Sequence, residues 1–488
     1  MSAAAPTLDL KARLMKGGAG AFGLRVCALV LGFVADIVLT RTLGLENYGL
    51  YAIGISWLSL LVPLASLGLG TALLKVVPAE SANGEHGRVR GVLGFAGRWM
   101  FAASVVLGVL MAAGVALAGD RIGPELRLVL WILAGFLPIQ VLSLHRQSVL
   151  QALKFPVLAL LPEQVVRVAV FLATVGALYA WRGAQLTPAD AALAYGAGML
   201  ASLVCAGTWA RKRTPTEVQR ARPALMPSAW WLLALPMCWN TLMRLLNSRA
   251  DPAMLGWLMG DNGAEGAAAF ALANRLASLL LFGTVAVNAV AAPYIAELHA
   301  KGERGELQRL VTLASKGLAL YAFPLAAVLV LGGPWILPLF GEGFGAAYGA
   351  LVLLVVARLV TCSAGLLGFL LSLTGHQGRV AKWMTLAAAV KVASNFLLIP
   401  RFGAEGAAVG TIAMLTLFTA LAWRDARRLL GVEPTLLACL GWLPAAPETP
   451  WPAADGAGAS PGAGLVVPGG AVASVDRGRN LDAEERAA

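Results

Sequence analysis

The chain has 488 residues, of which 58% are hydrophobic and only 13% are charged, and its formal net charge is +12. With a mean hydropathy of +0.74, it has too little polar surface for a soluble protein of this length, so it is predicted to be a polytopic membrane protein. The positive charge does not indicate nucleic-acid binding, because the basic residues lie between apolar segments rather than on one soluble face.

About twelve apolar segments are each long enough to cross a bilayer core as a helix, which takes about 20 residues. We predict them near residues 18–40, 48–74, 92–118, 127–150, 157–181, 190–210, 230–259, 265–291, 312–332, 346–373, 380–399 and 405–424. The chain is therefore predicted to be all-α.

The segments divide at a polar linker, 211–228, into an N-terminal six-helix lobe (18–210) and a C-terminal six-helix lobe (229–430). A short N-terminus, 1–17, precedes the first lobe. Beyond residue 431 the composition shifts to Pro, Ala and Gly, which predicts a largely disordered tail over 431–488.

Lys and Arg are concentrated on alternate loops. The N-terminus, the linker and the loops on the same side carry most of them, whereas the other loops carry only Arg41, Arg121, Arg127, Arg182 and Arg401. By the positive-inside rule, both termini and the linker are predicted to be cytoplasmic. The expected location is the bacterial cytoplasmic (inner) membrane, crossed many times.

The segment from Trp230 to Met259 carries polar residues at helical spacing, namely Asn240, Arg244, Asn247 and Asp251. They form one stripe on an otherwise apolar helix. A charge at bilayer depth costs roughly 2.5–3.5 kcal/mol on insertion scales, so such a stripe usually faces a wet cavity or other protein. Contacts that hold neighbouring helices together are the alternative.

The first segment repeats this arrangement. Asp36 lies eleven positions after Arg25, as Asp251 lies eleven positions after Asn240. In both places an apolar stretch, a Gly-rich turn and a new apolar helix follow. The chain therefore looks duplicated, and duplicated halves with polar helices at matching positions are typical of membrane transporters.

Two blocks carry a family resemblance. RTLGLENYGLYAIGISWLSLLVPLASLGLGTALLKVVP (41–78) resembles the L-G-x-x-x-Y-G-x-Y turn and the following helix of polysaccharide-biosynthesis flippases. LSLTGHQGRVAKWMTLAAAVKVASNFLLIPRFGAEGAAVGTIA (371–413) is similar to the same family, with L-x-x-T-G, an Asn-containing helix and I-P-x-x-G-x-x-G-A-A. Lys391 departs from the family pattern, which more often has an uncharged residue there.

The resemblance covers about residues 15–430 and implies a member of the multidrug, oligosaccharidyl-lipid and polysaccharide exporter superfamily. It implies a MATE-like fold of two six-helix lobes around a central cavity. It also implies a flippase for undecaprenyl-diphosphate-linked sugars in surface polysaccharide biosynthesis, such as lipopolysaccharide or exopolysaccharide.

The residues independently favour an anionic substrate, because basic groups outnumber acidic ones in the predicted spans and Arg can bind phosphate through two donors. The candidate cationic-cavity residues are Arg244, Arg275, Arg358, Arg167, Arg25, Asn240 and Asn247. Asp36 and Asp251 are candidates for cation binding or gating. Glu163 and Arg167 are spaced as a helical i, i+4 pair, for which mutual neutralisation is the alternative.

Three function classes remain. The first is a lipid-linked oligosaccharide flippase that works by alternating access, with a polysaccharide polymerase and other export components as candidate partners. The second is a cation-coupled multidrug or metabolite exporter, which would prefer more acidic residues in the spans. The third is a membrane polymerase or glycosyltransferase, which is disfavoured because the outside loops are short and carry no paired carboxylates or nucleophile with a base. No metal, cofactor or catalytic residue is expected.

Overall fold

The computed structural model describes residues 5–119, 122–183, 186–301, 303–363 and 365–433. Nearly all of the described residues are helical. Most of the predicted tail, 434–488, lies outside the described residues.

The fifteen described α-helices are α1 (Ala5–Ser66), α2 (Leu69–Ala82), α3 (His86–Ala118), α4 (Pro124–Ala152), α5 (Pro156–Leu161), α6 (Arg167–Arg182), α7 (Pro188–Arg213), α8 (Thr216–Arg220), α9 (Pro227–Leu258), α10 (Gly263–Ala277), α11 (Leu281–Lys301), α12 (Arg304–Ile336), α13 (Tyr348–Ser363), α14 (Leu367–Leu373) and α15 (Gln377–Leu430). A π-helical turn, Pro162–Val166, joins α5 to α6. Short 3₁₀ turns lie at Gly260–Asn262, Ser278–Leu280, Leu337–Phe340 and Phe344–Ala347.

Nine helices within the described ranges are long and apolar enough to cross a membrane. The all-helical membrane fold is thereby confirmed, while the count of twelve crossings stays a prediction. Two of the nine are kinked, at Gly44 (φ 77°) in α1 and at Gly403 (φ 53°) in α15. Glycine suits both positions because positive φ strains residues that carry a β-carbon.

The kinks lie where turns were predicted. The turn expected between the first two segments is the non-helical Gly44 within α1, and the turn expected between the last two is the non-helical Gly403 within α15. Two other boundaries are corrected. The segment predicted at 265–291 is broken by the 3₁₀ turn Ser278–Leu280 between α10 and α11. Leu67 and Gly68, both with positive φ, separate α1 from α2 within the segment predicted at 48–74.

The two ends of the bundle differ in what they contain. We call one end the Gly44 face; it brings together the kink of α1, the turn 337–347 and the kink of α15. There, Arg41 Nε donates to the Leu339 carbonyl at 2.9 Å, and the rings of Tyr48 and Phe344 lie 5.9 Å apart. The opposite end, the linker face, contains α8, and Ala224 N donates to the Gly87 carbonyl at 2.9 Å there.

The chain before α8 (the N-terminal half) and the chain after it (the C-terminal half) share one hydrophobic core near the Gly44 face. That core joins Leu39 and Ile53 of α1 to Leu255 of α9 and Phe270 of α10. A β-carbon at Gly49 would overlap the Ala264 carbonyl, so the two backbones touch there. The halves are therefore packed against each other at the Gly44 face.

A second core fills the N-terminal half from α1 to α8 and includes the beginning of α9. Trp230 packs on Phe95 with 5.1 Å between the ring centroids, and Ala234 is fully buried. Helix α9 thus contacts both halves along its length. The residues between α9 and its neighbours are where a site shared by the halves can form.

Candidate functional site

A polar cavity of about 230 Å³ lies between the two halves. Its walls come from α1, α6 and α7 on one side and from α9 and α10 on the other. The lining residues are Gly32, Ala35, Asp36, Leu39, Tyr48, Tyr51, Ala52, Ile55, Ser56, Ser59, Arg167, Val168, Phe171, Tyr195, Pro252, Ala271, Asn274 and Arg275. Two guanidinium groups, of Arg167 and Arg275, and the Asp36 carboxylate face this space.

An ion pair crosses the cavity from one half to the other. Arg275 Nε of α10 lies 2.9 Å from Asp36 Oδ2 of α1, and the two side chains are 39% and 21% exposed. The Arg275 guanidinium also lies 5.7 Å from the centroid of the Phe33 ring. A β-carbon at Gly32 would overlap the guanidinium, so glycine there leaves the space that Arg275 occupies.

Arg167 approaches the cavity from the N-terminal half. Its Nε lies 2.9 Å from Glu163 Oε1, one turn earlier, and its guanidinium lies 4.9 Å from the Tyr195 ring centroid. Gln140 and Ser202 each donate to a Glu163 oxygen at 3.3 Å. Glu163 thus has three partners, and the i, i+4 pairing anticipated from the spacing is present in the structure.

Aromatic rings complete this wall. Phe171 lies 6.5 Å from Tyr51 in a stacked arrangement, and Tyr195 meets both rings edge-on at 6.4 Å. The hydroxyl groups of Tyr51 and Tyr195 give this wall hydrogen-bonding groups in addition to Arg167. Sequence reasoning did not name Tyr51 and Tyr195 as site residues, although Tyr51 is the last tyrosine of the L-G-x-x-x-Y-G-x-Y motif.

Asp251 lies in a different environment from Asp36. Lys391 Nζ of α15 contacts Asp251 Oδ2 at 2.6 Å, and the two side chains are 2% and 3% exposed. Asn395 Nδ2 donates to the other carboxylate oxygen at 2.8 Å, and Lys391 also donates to the Asn247 carbonyl at 2.5 Å. Asp251 is therefore held inside the C-terminal half, and its neighbour Pro252 lines the cavity instead.

Arg358 reaches the cavity indirectly. Its Nη2 donates to Asn274 Oδ1 at 2.8 Å, and Asn274 lines the cavity next to Arg275. Arg358 and Asn247 line a separate, mostly apolar pocket of about 200 Å³ in the C-terminal half. Arg358 is therefore connected to the cavity lining through the Asn274 amide.

The predicted site is thus divided. Asp36, Arg167 and Arg275 meet at the central cavity, whereas Asp251, Asn247 and Arg358 lie within the C-terminal half. The side chains of Arg25, Asn240 and Arg244 lie outside the described part of the structure, although their backbones belong to α1 and α9. Within the described residues, no group of three or more His, Cys, Asp or Glu side chains is placed to hold a metal ion.

Comparison with known proteins agrees with this architecture. Residues 16–299, more than half of the chain, match the family described as "Polysaccharide biosynthesis protein". A stretch of 188 residues is 28% identical to "Probable flippase AglR" of Haloferax volcanii. That alignment spans 38% of this chain and 39% of AglR, so about two fifths of the length of this relative is matched.

Two solved structures have the same overall fold. An inward-facing multidrug resistance MATE family transporter of the MOP superfamily superposes with a TM-score of 0.67 at 16% identity, over 82% of this chain and 94% of that one. Lipid II flippase MurJ, in an inward closed conformation, superposes with a TM-score of 0.66 at 12% identity, over 83% and 87% of the two chains. The family resemblance in the sequence is confirmed: the chain belongs to the polysaccharide biosynthesis protein family and has the fold of MATE transporters and MurJ.

Proposed function

We propose that the protein is a flippase that carries a lipid-linked oligosaccharide with an anionic diphosphate, of the undecaprenyl-diphosphate class, across the cytoplasmic membrane. The observation that carries the proposal is the Asp36–Arg275 ion pair on the wall of a cavity between the halves. A cation-lined space shared by two halves has the position and charge that an alternating-access carrier of an anion requires.

The diphosphate supplies the recognition chemistry. Arg275 and Arg167 both present guanidinium groups to the cavity, and such groups bind phosphate oxygens through charge-assisted, bidentate hydrogen bonds. Tyr51 and Tyr195 present hydroxyl groups beside them, which can pair with sugar hydroxyls. Hydrogen bonds from these guanidinium and hydroxyl groups offset part of the cost of moving the diphosphate out of water.

The ion pair gives a way for substrate to change the conformation. A diphosphate that binds Arg275 competes with Asp36 for the same guanidinium. Once Asp36 has lost its partner, one polar contact between α1 and α10 is gone, which weakens the packing of the halves at the Gly44 face. A ligand shifts a conformational equilibrium only through such differential contacts.

A cation-coupled multidrug or metabolite exporter is the second candidate. One observation favours it: Asp36 is the carboxylate of the described cavity lining, and it becomes available to a proton or metal cation when Arg275 moves away. Arg167 and Arg275 favour the flippase, because each guanidinium group can bind a phosphate oxygen, whereas a cationic drug would find only the Asp36 carboxylate in the described lining.

The proposal includes location and partners. The linker face carries the basic loops, so we assign it to the cytoplasm, with both termini on that side of the bacterial inner membrane. A carrier of this kind releases its lipid-linked sugars on the opposite side. The partners of the proposed function are therefore a polysaccharide polymerase and other export components that consume them there.

The proposal is tested by glycan export in cells. Export by Arg275→Ala, Arg275→Lys and Arg167→Ala variants is measured and normalised to membrane-inserted protein. Loss of one charge-assisted contact costs on the order of 1.5–3 kcal/mol, or roughly a ten- to hundredfold loss of affinity. Lys is expected to restore export only in part, because it keeps the charge but not the planar fork.

The matched control is Arg309→Ala. Arg309 is an exposed arginine of α12 that pairs with Glu306 at 2.7 Å, away from the cavity. Export by this variant is expected to equal that of the wild type. Normal export by both Ala variants of the cavity arginines would contradict the flippase proposal, and active drug efflux with no glycan export would favour the second candidate.

A further inference from the structure

A second basic pocket lies in the N-terminal half at the linker face, away from the central cavity. Helices α3, α4 and α7 form its walls, and the loop that contains α8 closes one side. Its volume is about 620 Å³. The lining residues are Arg90, Leu93, Gly94, Gly97, Arg98, Leu142, His145, Arg146, Val149, Ala210, Arg211, Thr214, Val218, Gln219 and Pro223.

Four arginines and no carboxylate belong to this lining. Arg90 donates to the Ala221 carbonyl at 2.8 Å. No carboxylate of the described residues lies within 4 Å of Arg98, Arg146 or Arg211. Arginines elsewhere on this face do have such partners; for example, Arg309 pairs with Glu306 at 2.7 Å. The pocket therefore concentrates positive charge that the described chain does not neutralise.

The wall of the pocket also offers room and a further polar group. Gly94 and Gly97 have no side chains, which leaves the surface of α3 open at these positions. A β-carbon at Gly97 would press on the His145 ring. His145 is 2% exposed, and its Nδ1 has no hydrogen-bond partner among the described residues. An anion could therefore approach the α3 backbone closely between the guanidinium groups.

Tryptophans indicate the depth of the pocket in the membrane. Trp99 follows Arg98 directly, is 48% exposed and lies 5.6 Å from the Trp231 ring. Exposed tryptophans of membrane proteins are concentrated at the level of the lipid headgroups. Arg98 therefore lies where phosphate groups of the bilayer are, rather than in bulk water.

We propose that this pocket binds the phosphate of an anionic lipid headgroup from the leaflet at the linker face. Several unpaired guanidinium groups around one space suit a phosphate ester, because each can donate two parallel hydrogen bonds. General attraction of basic loops to a negative membrane surface would need no pocket and no particular arginine. The proposal differs in requiring Arg98 and Arg146 together, and it does not depend on the flippase activity.

The test measures the thermal stability of the purified full-length protein in a neutral detergent. Phosphatidylglycerol, phosphatidylcholine, inorganic phosphate and undecaprenyl diphosphate are each titrated, and the shift in melting temperature gives the half-saturating concentration. Phosphatidylglycerol is expected to raise the melting temperature, and phosphatidylcholine is not. Stabilisation by inorganic phosphate alone, with none by either anionic lipid, would overturn the assignment to a lipid.

Undecaprenyl diphosphate distinguishes the source of the headgroup. If undecaprenyl diphosphate half-saturates the protein at a lower concentration than phosphatidylglycerol does, the ligand belongs to the transported lipid class. If phosphatidylglycerol half-saturates it at the lower concentration, the ligand is a bilayer phospholipid. Because undecaprenyl diphosphate can also enter the central cavity, its titration is repeated with Arg275→Ala/Arg167→Ala, in which both cavity guanidinium groups are removed and the linker-face pocket is unchanged.

The variants are Arg98→Gln/Arg146→Gln, which removes two charges, and Gly94→Leu, which fills the pocket and keeps them. Loss of two charge-assisted contacts is expected to raise the half-saturating phosphatidylglycerol concentration on the order of a hundredfold. Arg309→Gln, which removes one charge outside the pocket by the same substitution, is the control, and Arg275→Ala should keep the phosphatidylglycerol response. An unchanged response in both pocket variants would overturn the proposal, and so would an equal loss in Arg309→Gln.

Discussion

Asp251 and Lys391 lie 140 residues apart in the chain and form an ion pair of 2.6 Å in which both side chains are almost fully buried. Asp36, which occupies the matching position in the first half, pairs instead with Arg275 across the central cavity and stays partly exposed. The two acids, which lie at matching positions of the two predicted repeats, thus have different partners. Asp251 is paired inside the C-terminal half, and Asp36 connects the two halves.

The buried pair predicts a strong dependence of stability on Lys391. A Lys391→Met variant leaves the Asp251 carboxylate buried without its cationic partner, which typically costs about 3–5 kcal/mol. We expect the detergent-purified variant to melt at a clearly lower temperature or to aggregate on size-exclusion chromatography. The double variant Lys391→Met/Asp251→Leu removes both charges and should recover most of the loss. A single variant as stable as wild type would show that the pair contributes little.

Substitution of Asp36 is expected to strengthen substrate binding rather than weaken it. In Asp36→Asn the carboxylate no longer competes for Arg275, so the affinity for a polyprenyl diphosphate should rise, while turnover should fall because the contact between the halves is weakened. Binding of a fluorescent polyprenyl diphosphate to the purified protein measures the first effect. Ser59→Ala, at another cavity residue without charge, is the control. Weaker binding by Asp36→Asn would mean that Asp36 positions Arg275 rather than competing for it.

Gly32 tests the geometry of Arg275 without removing its charge. The methyl group of Gly32→Ala would overlap the guanidinium, so Arg275 has to leave its position beside Asp36. Export is expected to fall, though less than in Arg275→Ala, because the displaced side chain is flexible. Gly135→Ala in α4 is the matched control, since nothing lies within 4 Å of the added carbon. Equal export by both glycine variants would contradict the assigned role of Arg275.

The assignment of the two faces is tested by cysteine labelling. In a background without native cysteines, Glu217→Cys in α8 should be protected from a membrane-impermeant maleimide in intact cells. Arg401→Cys, beside the Gly403 kink, should react. Both positions are exposed in the structure, so permeabilised cells should label both and serve as the control. Labelling of Glu217→Cys alone in intact cells would reverse the topology.

The sequence predicted the membrane fold well because composition and helix-length apolar segments are local properties. The turns predicted near Gly44 and Gly403 are present, because both glycines have non-helical backbone angles that interrupt α1 and α15. Composition also gave no indication that one core would join the halves. Such packing depends on which helix faces meet, and a single sequence does not specify it.

The candidate site was predicted in part. The spacing of Glu163 and Arg167 indicated a contact that the structure contains at 2.9 Å, because the pair lies on one helical turn. Lys391 stood out as a departure from the family pattern, but its partner Asp251 lies on another helix, and nothing local links them. Arg358 was expected at the cavity, but the structure places it in hydrogen-bond contact with Asn274, which lines the cavity, and not in the lining itself.

The central claim is that the cavity selects a lipid by its diphosphate through Arg275. The most direct measurement is flipping of fluorescent polyprenyl-linked saccharides by purified protein in liposomes, with diphosphate and uncharged linkages compared at equal protein content. Wild type is expected to flip the diphosphate-linked lipid and not the uncharged one, and Arg275→Ala is expected to lose roughly ten- to a hundredfold of apparent affinity for the diphosphate-linked lipid. Equal flipping of both lipids by wild type, or an unchanged rate and affinity in Arg275→Ala, would contradict it.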